Sequence, residues 1–332
     1  MLDGLDILVT GGTGSFGRRF VRTVLDRYRP DRLIVFSRDE LKQFQMREEF
    51  PEAEHPSLRY FIGDVRDRDR LYRAFDGVEV VIHAAAMKQV PACEYNPIEA
   101  IRTNVLGAAN VVDAAIDRSV PRTIALSTDK AANPVNLYGA TKLSADKLFI
   151  AANSYAGARE TRFSVVRYGN VIGSRGSVIP AFLKAREEGR LRITDERMTR
   201  FWITLQQGVD FVLASLDRMR GGEIFIPKIP SMNIMDLAQA LAPACDIEHI
   251  GIRPGEKLHE VMVPEDDARN TVEYDDHYAI LPSYHQWDAR GWVDGDGKPV
   301  PDGFRYSSDR NDRWLTADEL RATVGLDPEG DV

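Results

Sequence analysis

The sequence predicts an α/β protein: a Rossmann-type, doubly wound parallel sheet with a smaller α/β domain after it. Three observations carry that reading. Short apolar runs alternate with longer stretches of helical spacing through the first 170 residues. Such alternation builds a parallel sheet with helices on both faces. The first run leads straight into a glycine-rich turn and then a helix-like stretch. After residue 170 the rhythm loosens, and Pro and Gly interrupt it. A chain of 332 residues fits two domains at roughly 150 residues each.

The apolar runs at 7–10, 33–36, 59–62, 78–83, 123–127 and 163–167 are the expected parallel strands. Between them, 16–28, 68–75, 98–117 and 138–154 have helical spacing. Residues 1–170 form the first domain, with later segments able to return to it. Residues 171–332 form the second domain and tail. There, short apolar pieces at 203–205 and 224–226 accompany helical patterns at 207–217 and 234–242. The tail from Ser283 is polar and irregular, and 294–303 reads as an exposed loop.

Composition narrows the function. Hydrophobic residues are 43% and charged residues 28%, which excludes a disordered chain. The formal net charge of −8 disfavours general binding to a phosphate backbone, so no nucleic-acid partner is expected. Cys93 and Cys245 are the two cysteines and form no CxxC pair, so neither a disulfide framework nor a metal site is expected. The start, Met1-Leu2-Asp3-Gly4-Leu5-Asp6, lacks a basic region and a signal-length apolar stretch. No run approaches the roughly 20 apolar residues of a membrane span, so a cytoplasmic location is the default.

The first strand ends in Thr10-Gly11-Gly12-Thr13-Gly14-Ser15-Phe16-Gly17, spaced both as G-x-x-G-x-x-G and as G-x-G-x-x-G. A tight turn needs glycine, and a pyrophosphate can approach backbone that has no Cβ in the way. The helix N-terminus then faces the phosphates. Gly11, Thr13, Gly14, Ser15, Phe16 and Gly17 are the expected cradle. The second strand ends in Ser37-Arg38-Asp39-Glu40, with Lys42 a turn beyond. Ser37, Arg38 and Lys42 suit a 2′-phosphate and favour NADP over NAD. The competing reading makes Arg38 a solvated charge and Asp39 an N-cap. Asp64 ends the third strand, placed to reach the adenine edge, with Val65 beside it as a further contact. Ala84-Ala85-Ala86 ends the fourth and is small enough to let a cofactor lie on the backbone.

Tyr138 and Lys142 stand at i and i+4, on one face of a helix. A phenol near pKa 10 is a poor base at neutral pH, and a neighbouring ammonium lowers that value. The pair can exchange a proton with a substrate hydroxyl while hydride passes to a nicotinamide. The fifth strand ends in Leu126-Ser127-Thr128, just before this pair.

The glycine turn, Asp64, Asn104, Ser127/Thr128 and Tyr138/Lys142 together resemble the extended short-chain dehydrogenase/reductase superfamily. Many of its members act on nucleotide sugars. The chain then runs on as Asp129-Lys130-Ala131. A buried charged pair is expensive unless chemistry requires it. Dehydration requires an extra acid and base. Oxidation at C4 of a sugar acidifies the C5 proton, a base removes it, an acid protonates the departing C6 hydroxyl, and hydride returns to C6.

Thr128-Asp129-Lys130-Ala131, Met87-Lys88-Gln89-Val90-Pro91, Arg167-Tyr168-Gly169-Asn170-Val171, Met198-Thr199-Arg200-Phe201-Trp202 and the run from Arg253 to Glu260 resemble the inverting UDP-N-acetylglucosamine 4,6-dehydratases. These hydro-lyases begin pseudaminic acid synthesis. A related retaining group, often membrane-anchored, commonly has Met in place of Tyr138. The resemblance spans about residues 4–320 and implies hexamers. It implies that Tyr138 assists C4 oxidation, that Lys142 tunes it and binds the nicotinamide ribose, and that Thr128 binds the C4 oxygen. Asn104 joins the cofactor contacts. Lys130 is favoured as base and Asp129 as acid, with the alternative that Asp129 only orients Lys130. Lys88, Thr128, Tyr168, Asn170, Arg175, Arg200, Arg253 and Glu256 are the implied UDP-sugar contacts. Arg200 has a competing reading as a structural ion-pair partner. His83 and Trp202 read as core residues. A C4 epimerase, a C5-retaining dehydratase and a silent NADP-binding sensor are the alternative functions.

Overall fold

A computed structural model describes residues 1–174, 178–283 and 297–326. Six parallel strands form its centre: β1 (Asp6–Thr10), β2 (Arg32–Ser37), β3 (Leu58–Ile62), β4 (Val80–His83), β5 (Arg122–Thr128) and β6 (Arg162–Tyr168). Their spatial order is β3-β2-β1-β4-β5-β6, the doubly wound order that opens a crevice where β1 and β4 part. β1 lies between β2 and β4, pairing Ile7 with Leu33 on one side and Val80 on the other. All the side chains of β4 are buried, as expected for a strand covered on both faces.

Four later strands extend this sheet. Ile224–Pro227 runs parallel beside β6, then His277–Ile280, Thr271–Glu273 and Lys298–Pro299 follow antiparallel. The sheet therefore has ten strands among the described residues, drawn from both halves of the chain. The expected loop at 294–303 is corrected in part. Lys298 and Pro299 pair with Glu273 and Val272 at the sheet edge, and Val300 is buried. Two residues are too few to show alternation, so this pairing comes from the strand opposite. Residues 294–296 lie outside the described residues.

Other elements refine the expectations. The stretch 98–117 is an α-helical turn (Pro97–Ile101), a π-helical turn (Arg102–Leu106) and an α-helix (Gly107–Asp117). A helix runs over Glu40–Glu49 and Asp39 caps it, as the competing reading had it; its extent was not marked because Leu41 and Phe44 face outward and only Gln43 and Met46 are buried. Val78 and Glu79 precede β4 rather than belonging to it.

A second apolar core gathers Ile179, Phe182, Leu191, Ile193, Leu237 and Leu241 around Trp202. It stands apart from the core of the large sheet. Trp202 is a core residue, as expected. No helix among the described residues is long and apolar enough to cross a membrane.

Candidate active site

The glycine turn is built for backbone approach. Gly11 has φ +66°, and a Cβ there would lie 2.9 Å from the backbone of Ala85. A Cβ on Gly17 would lie 2.4 Å from Gly12, so the helix Ser15–Arg27 packs directly against its own turn. Its N-cap is Gly14, which supplies no side-chain acceptor. No N-cap side chain therefore meets the first N–H groups of the helix.

Ser37 and Thr13 are buried and share a hydroxyl hydrogen bond of 3.0 Å across this turn. Asp39 caps the next helix by accepting from the Lys42 amide, and the Lys42 ammonium lies 2.7 Å from its carboxylate. The side-chain hydrogen bond from Lys42 holds the Asp39 carboxyl below the usual range. Arg38 is largely exposed, 3.6 Å from Asp64. Asp64 is held by Arg66 at 2.7 Å and 3.0 Å. Burial pushes the Asp64 carboxyl up, and the Arg66 bonds more than reverse it. Val65 is buried against Gly107. Ala84 and Ala85 are hydrogen-bonded to Thr10, whose hydroxyl also meets the buried His83 ring. Ala86 is exposed beyond them.

Asn104 is buried with its amide engaged by protein. Its oxygen accepts from the Met87 N–H, and its nitrogen donates to the Met87 carbonyl and to Thr141. It ties the loop carrying Lys88 to the helix carrying Tyr138. The π-helical turn presents it to both.

β5 ends at Thr128 and passes into a 3₁₀ turn, Asp129–Ala131. The Thr128 hydroxyl donates to Asp129 at 2.9 Å. Asn136 then caps the helix Leu137–Tyr155, accepting from the Gly139 amide. Gly139 lets that helix press on the Lys130 carbonyl, which brings Tyr138 beside the Thr-Asp-Lys turn. Burial pushes the Tyr138 phenol up to about 12; the Lys130 charge opposes it most strongly, followed by a Thr128 hydrogen bond. Lys142 was expected to act on the phenol. Its ammonium instead donates to the Leu126 carbonyl at 2.7 Å, and burial lowers its pKa.

Asp129 has no exposed surface. Lys130 Nζ lies 3.1 Å from Asp129 Oδ1, 3.5 Å from Asn170 Oδ1 and 3.4 Å from Glu260 Oε1. Burial raises the Asp129 pKa, and Glu260 adds to the rise. Burial alone would lower that of Lys130, but the two carboxylates outweigh it and raise it. Asp129 Oδ2 is buried with no hydrogen-bond partner, where a carboxylic proton would sit.

The remaining residues surround this centre. Tyr168 ends β6, nearly buried, and Asn170 follows. Arg253 lies 3.8 Å from Glu256, which also accepts from the Arg253 amide. That loop docks on the Tyr138 helix: the Gly255 carbonyl (φ +80°) accepts from Asn136 at 2.8 Å. Arg200 donates to the carbonyls of Thr199, Lys257 and Leu258, gripping the loop's own backbone. Lys88 is exposed past Met87. Arg175 lies outside the described residues.

Residues 7–282 match the model of the polysaccharide biosynthesis protein family. The chain belongs to that family. This polysaccharide biosynthesis protein is 56% identical to a UDP-N-acetylglucosamine 4,6-dehydratase (inverting) from Campylobacter jejuni, over 96% of this chain and 97% of that one. It is 44% identical to a UDP-glucose 4-epimerase from Rickettsia canadensis, over 95% and 94%. Among solved structures it is similar to Pen from Bacillus thuringiensis, at 37% identity and TM-score 0.88, covering 98% of each chain.

One member of the site in this family protein went unassigned in the sequence. Glu260 closes the run that begins at Arg253, yet nothing in its spacing points to Lys130. One signal was available: it directly precedes Val261-Met262-Val263, and an acid set against a buried apolar triplet needs a partner.

Proposed function

We propose that the chain is a C5-inverting UDP-N-acetylglucosamine 4,6-dehydratase that uses NADP. The observation that carries this reading is the ion pair of buried Asp129 and partly buried Lys130 beside Tyr138. Oxidation and reduction at C4 need one proton-transfer site, whereas elimination needs an acid and a base more. An epimerase has no use for the second pair. The 56% identity with the Campylobacter enzyme supports the same reading.

The glycine turn fits a dinucleotide. A side chain at Gly11 would overlap Ala85, so bare backbone lines the approach. The first turn of the helix, at Ser15, Phe16 and Gly17, would turn its N–H groups to the pyrophosphate. Arg38 would meet the 2′-phosphate. A bound nicotinamide supplies reversible hydride storage.

Tyr138 as phenolate, the form that the Lys130 charge and a Thr128 hydrogen bond favour, takes the proton of the C4 hydroxyl as C4 becomes a ketone, and Thr128 holds that oxygen. The ketone acidifies C5–H. Lys130 as free amine takes the C5 proton. Asp129 as carboxylic acid gives a proton to the C6 hydroxyl, which leaves as water. Moving one proton from Nζ to the carboxylate across 3.1 Å turns the ion pair into this acid and base. Return of the stored hydride to C6 and of a solvent proton to C5, on the face opposite the one deprotonated, would give UDP-2-acetamido-2,6-dideoxy-β-L-arabino-hex-4-ulose and leave the nicotinamide as it began. Lys88, Tyr168, Asn170, Arg175, Arg253 and Glu256 are the proposed contacts to the UDP-sugar, with Arg200 holding the loop in place. Such a substrate accords with a cytoplasmic location.

The test is a proton NMR time course in deuterated water with UDP-N-acetylglucosamine and no added reductant. A new C6 methyl signal with deuterium at C5 is expected. An epimeric sugar that keeps its C6 hydroxyl would sink the proposal.

A further inference from the structure

Lys130 has two carboxylate partners, and only Asp129 is its neighbour in sequence. Glu260 reaches it from the far half of the chain. Glu260 is 3% exposed, and a buried carboxylate is costly without strong compensation. Its compensation is unusually rich in cations. Lys130 lies 3.4 Å from Oε1, Arg200 lies 3.9 Å from Oε1, and Lys257 lies 3.7 Å from Oε2. Burial pushes the Glu260 carboxyl up, and these three cations more than reverse it.

The backbone around Glu260 is anchored independently of Lys130. Its N–H donates to Ser308 at 2.9 Å. Lys257 donates to the Ala132 carbonyl at 2.6 Å, just beyond the Asp129–Ala131 turn. Arg200 donates to the carbonyls on either side of the Lys257–Leu258 peptide. The carboxylate is therefore held at a set place, and the flexible lysine comes to it.

We propose that Glu260 is a positioning residue for the elimination, holding the Lys130 amine between two carboxylates and governing its proton affinity. This rests on the reading of Lys130 as the group that exchanges the C5 proton. The groups facing Lys130 are Asp129 on its own turn, Glu260, Arg200 and Lys257 from the later half, and the Tyr138 phenol. Those facing Glu260 are Lys130, Arg200, Lys257 and Asp129. Glu260 supplies the negative charge on Lys130 that Asp129 cannot supply once it carries its proton as the acid. It also links Lys130 to the loop at Arg253–Glu256, which runs directly into Lys257–Glu260.

The test compares kcat and KM against pH for the cofactor-loaded full chain and for Glu260→Gln, following the C6 methyl signal from UDP-N-acetylglucosamine. Loss of a negative charge within 4 Å lowers the pH at which an amine gives up its proton, by about one unit. The limb of the kcat profile that belongs to Lys130 moves to lower pH by that amount, whether the amine acts as base or as acid. KM stays within about twofold. Glu260→Asp, which keeps the charge, returns the limb toward its original position. A Gln variant whose profile drops evenly at every pH, with no movement of the limb, overturns the proposal. Should Glu260→Gln not fold, Lys257→Met gives the opposite sign: losing a cation beside Glu260 moves the limb to higher pH, and an unmoved limb overturns the proposal. A wild-type protein that forms no methyl signal overturns the dehydratase reading and this proposal together.

Discussion

Gly139 and Lys130 meet backbone to backbone: a methyl group on Gly139 would lie 2.2 Å from the Lys130 carbonyl oxygen. The helix that carries Tyr138 can therefore lie on the Thr-Asp-Lys turn. Helix propensity alone favours alanine there by about 0.5–1 kcal/mol. Gly139→Ala is nevertheless expected to destabilise by about 1–3 kcal/mol, because a backbone oxygen must give way. Turnover should fall by about tenfold or more as Tyr138 is displaced. Urea unfolding and the methyl-signal rate measure the two effects. A variant more stable than wild type would show that the contact relaxes without cost.

Removal of the Lys130 amine tests the base. Lys130→Ala should bind cofactor as wild type does and lose dehydration by a factor of about 100 or more. It also leaves the buried Asp129 carboxylate without its ion-pair partner, while Glu260 keeps Arg200 and Lys257. Breaking such a buried pair costs about 3–5 kcal/mol, so thermal unfolding must accompany the rate measurement. Full activity in this variant would refute the role.

The cofactor's 2′ end is tested at Arg38. Its side chain is mostly exposed and its nearest acid, Asp64, is already held by Arg66. Calorimetric titration of Arg38→Ala should show NADP binding weakened about tenfold or more, with NAD binding little changed. Equal losses for both dinucleotides would remove the basis for an NADP preference.

Acid stability should depend on His83. Burial lowers its pKa from 6.5 to about 3. The folded state then binds fewer protons than the unfolded state between those values. Its contribution is fully present above about pH 6.5 and is lost as pH falls toward 3. Denaturant unfolding at steps from pH 7 to pH 4 should show a shallower pH slope in His83→Gln than in wild type. Identical slopes would mean that other groups dominate acid unfolding.

Much of the architecture was legible because its signals are local. A strand buried on both faces is a continuous apolar run, and a phosphate-facing turn needs glycine at fixed offsets. The helix at Glu40–Glu49 was legible only at its Asp39 cap, because its outward Leu41 and Phe44 blur the apolar period. Lys298–Pro299 escaped because a two-residue strand has no period at all.

The candidate site divides in the same way. The doubly wound sheet, the glycine turn, the Thr128-Asp129-Lys130 turn and the Tyr138/Lys142 spacing can be read from the residues alone, because neighbours along the chain dictate each of them. Which charges act on one another is set by the fold. A helical spacing puts Tyr138 and Lys142 on one face, yet the Lys142 ammonium is taken by the Leu126 carbonyl, and Lys130 becomes the principal cation acting on the phenol. Glu260 joins Lys130 because the strand that follows it, Val261–Val263, packs on the Asp129–Ala131 turn from the far half of the chain. Coulomb interactions depend on distance in space, and a one-dimensional spacing carries no record of it once the chain folds back.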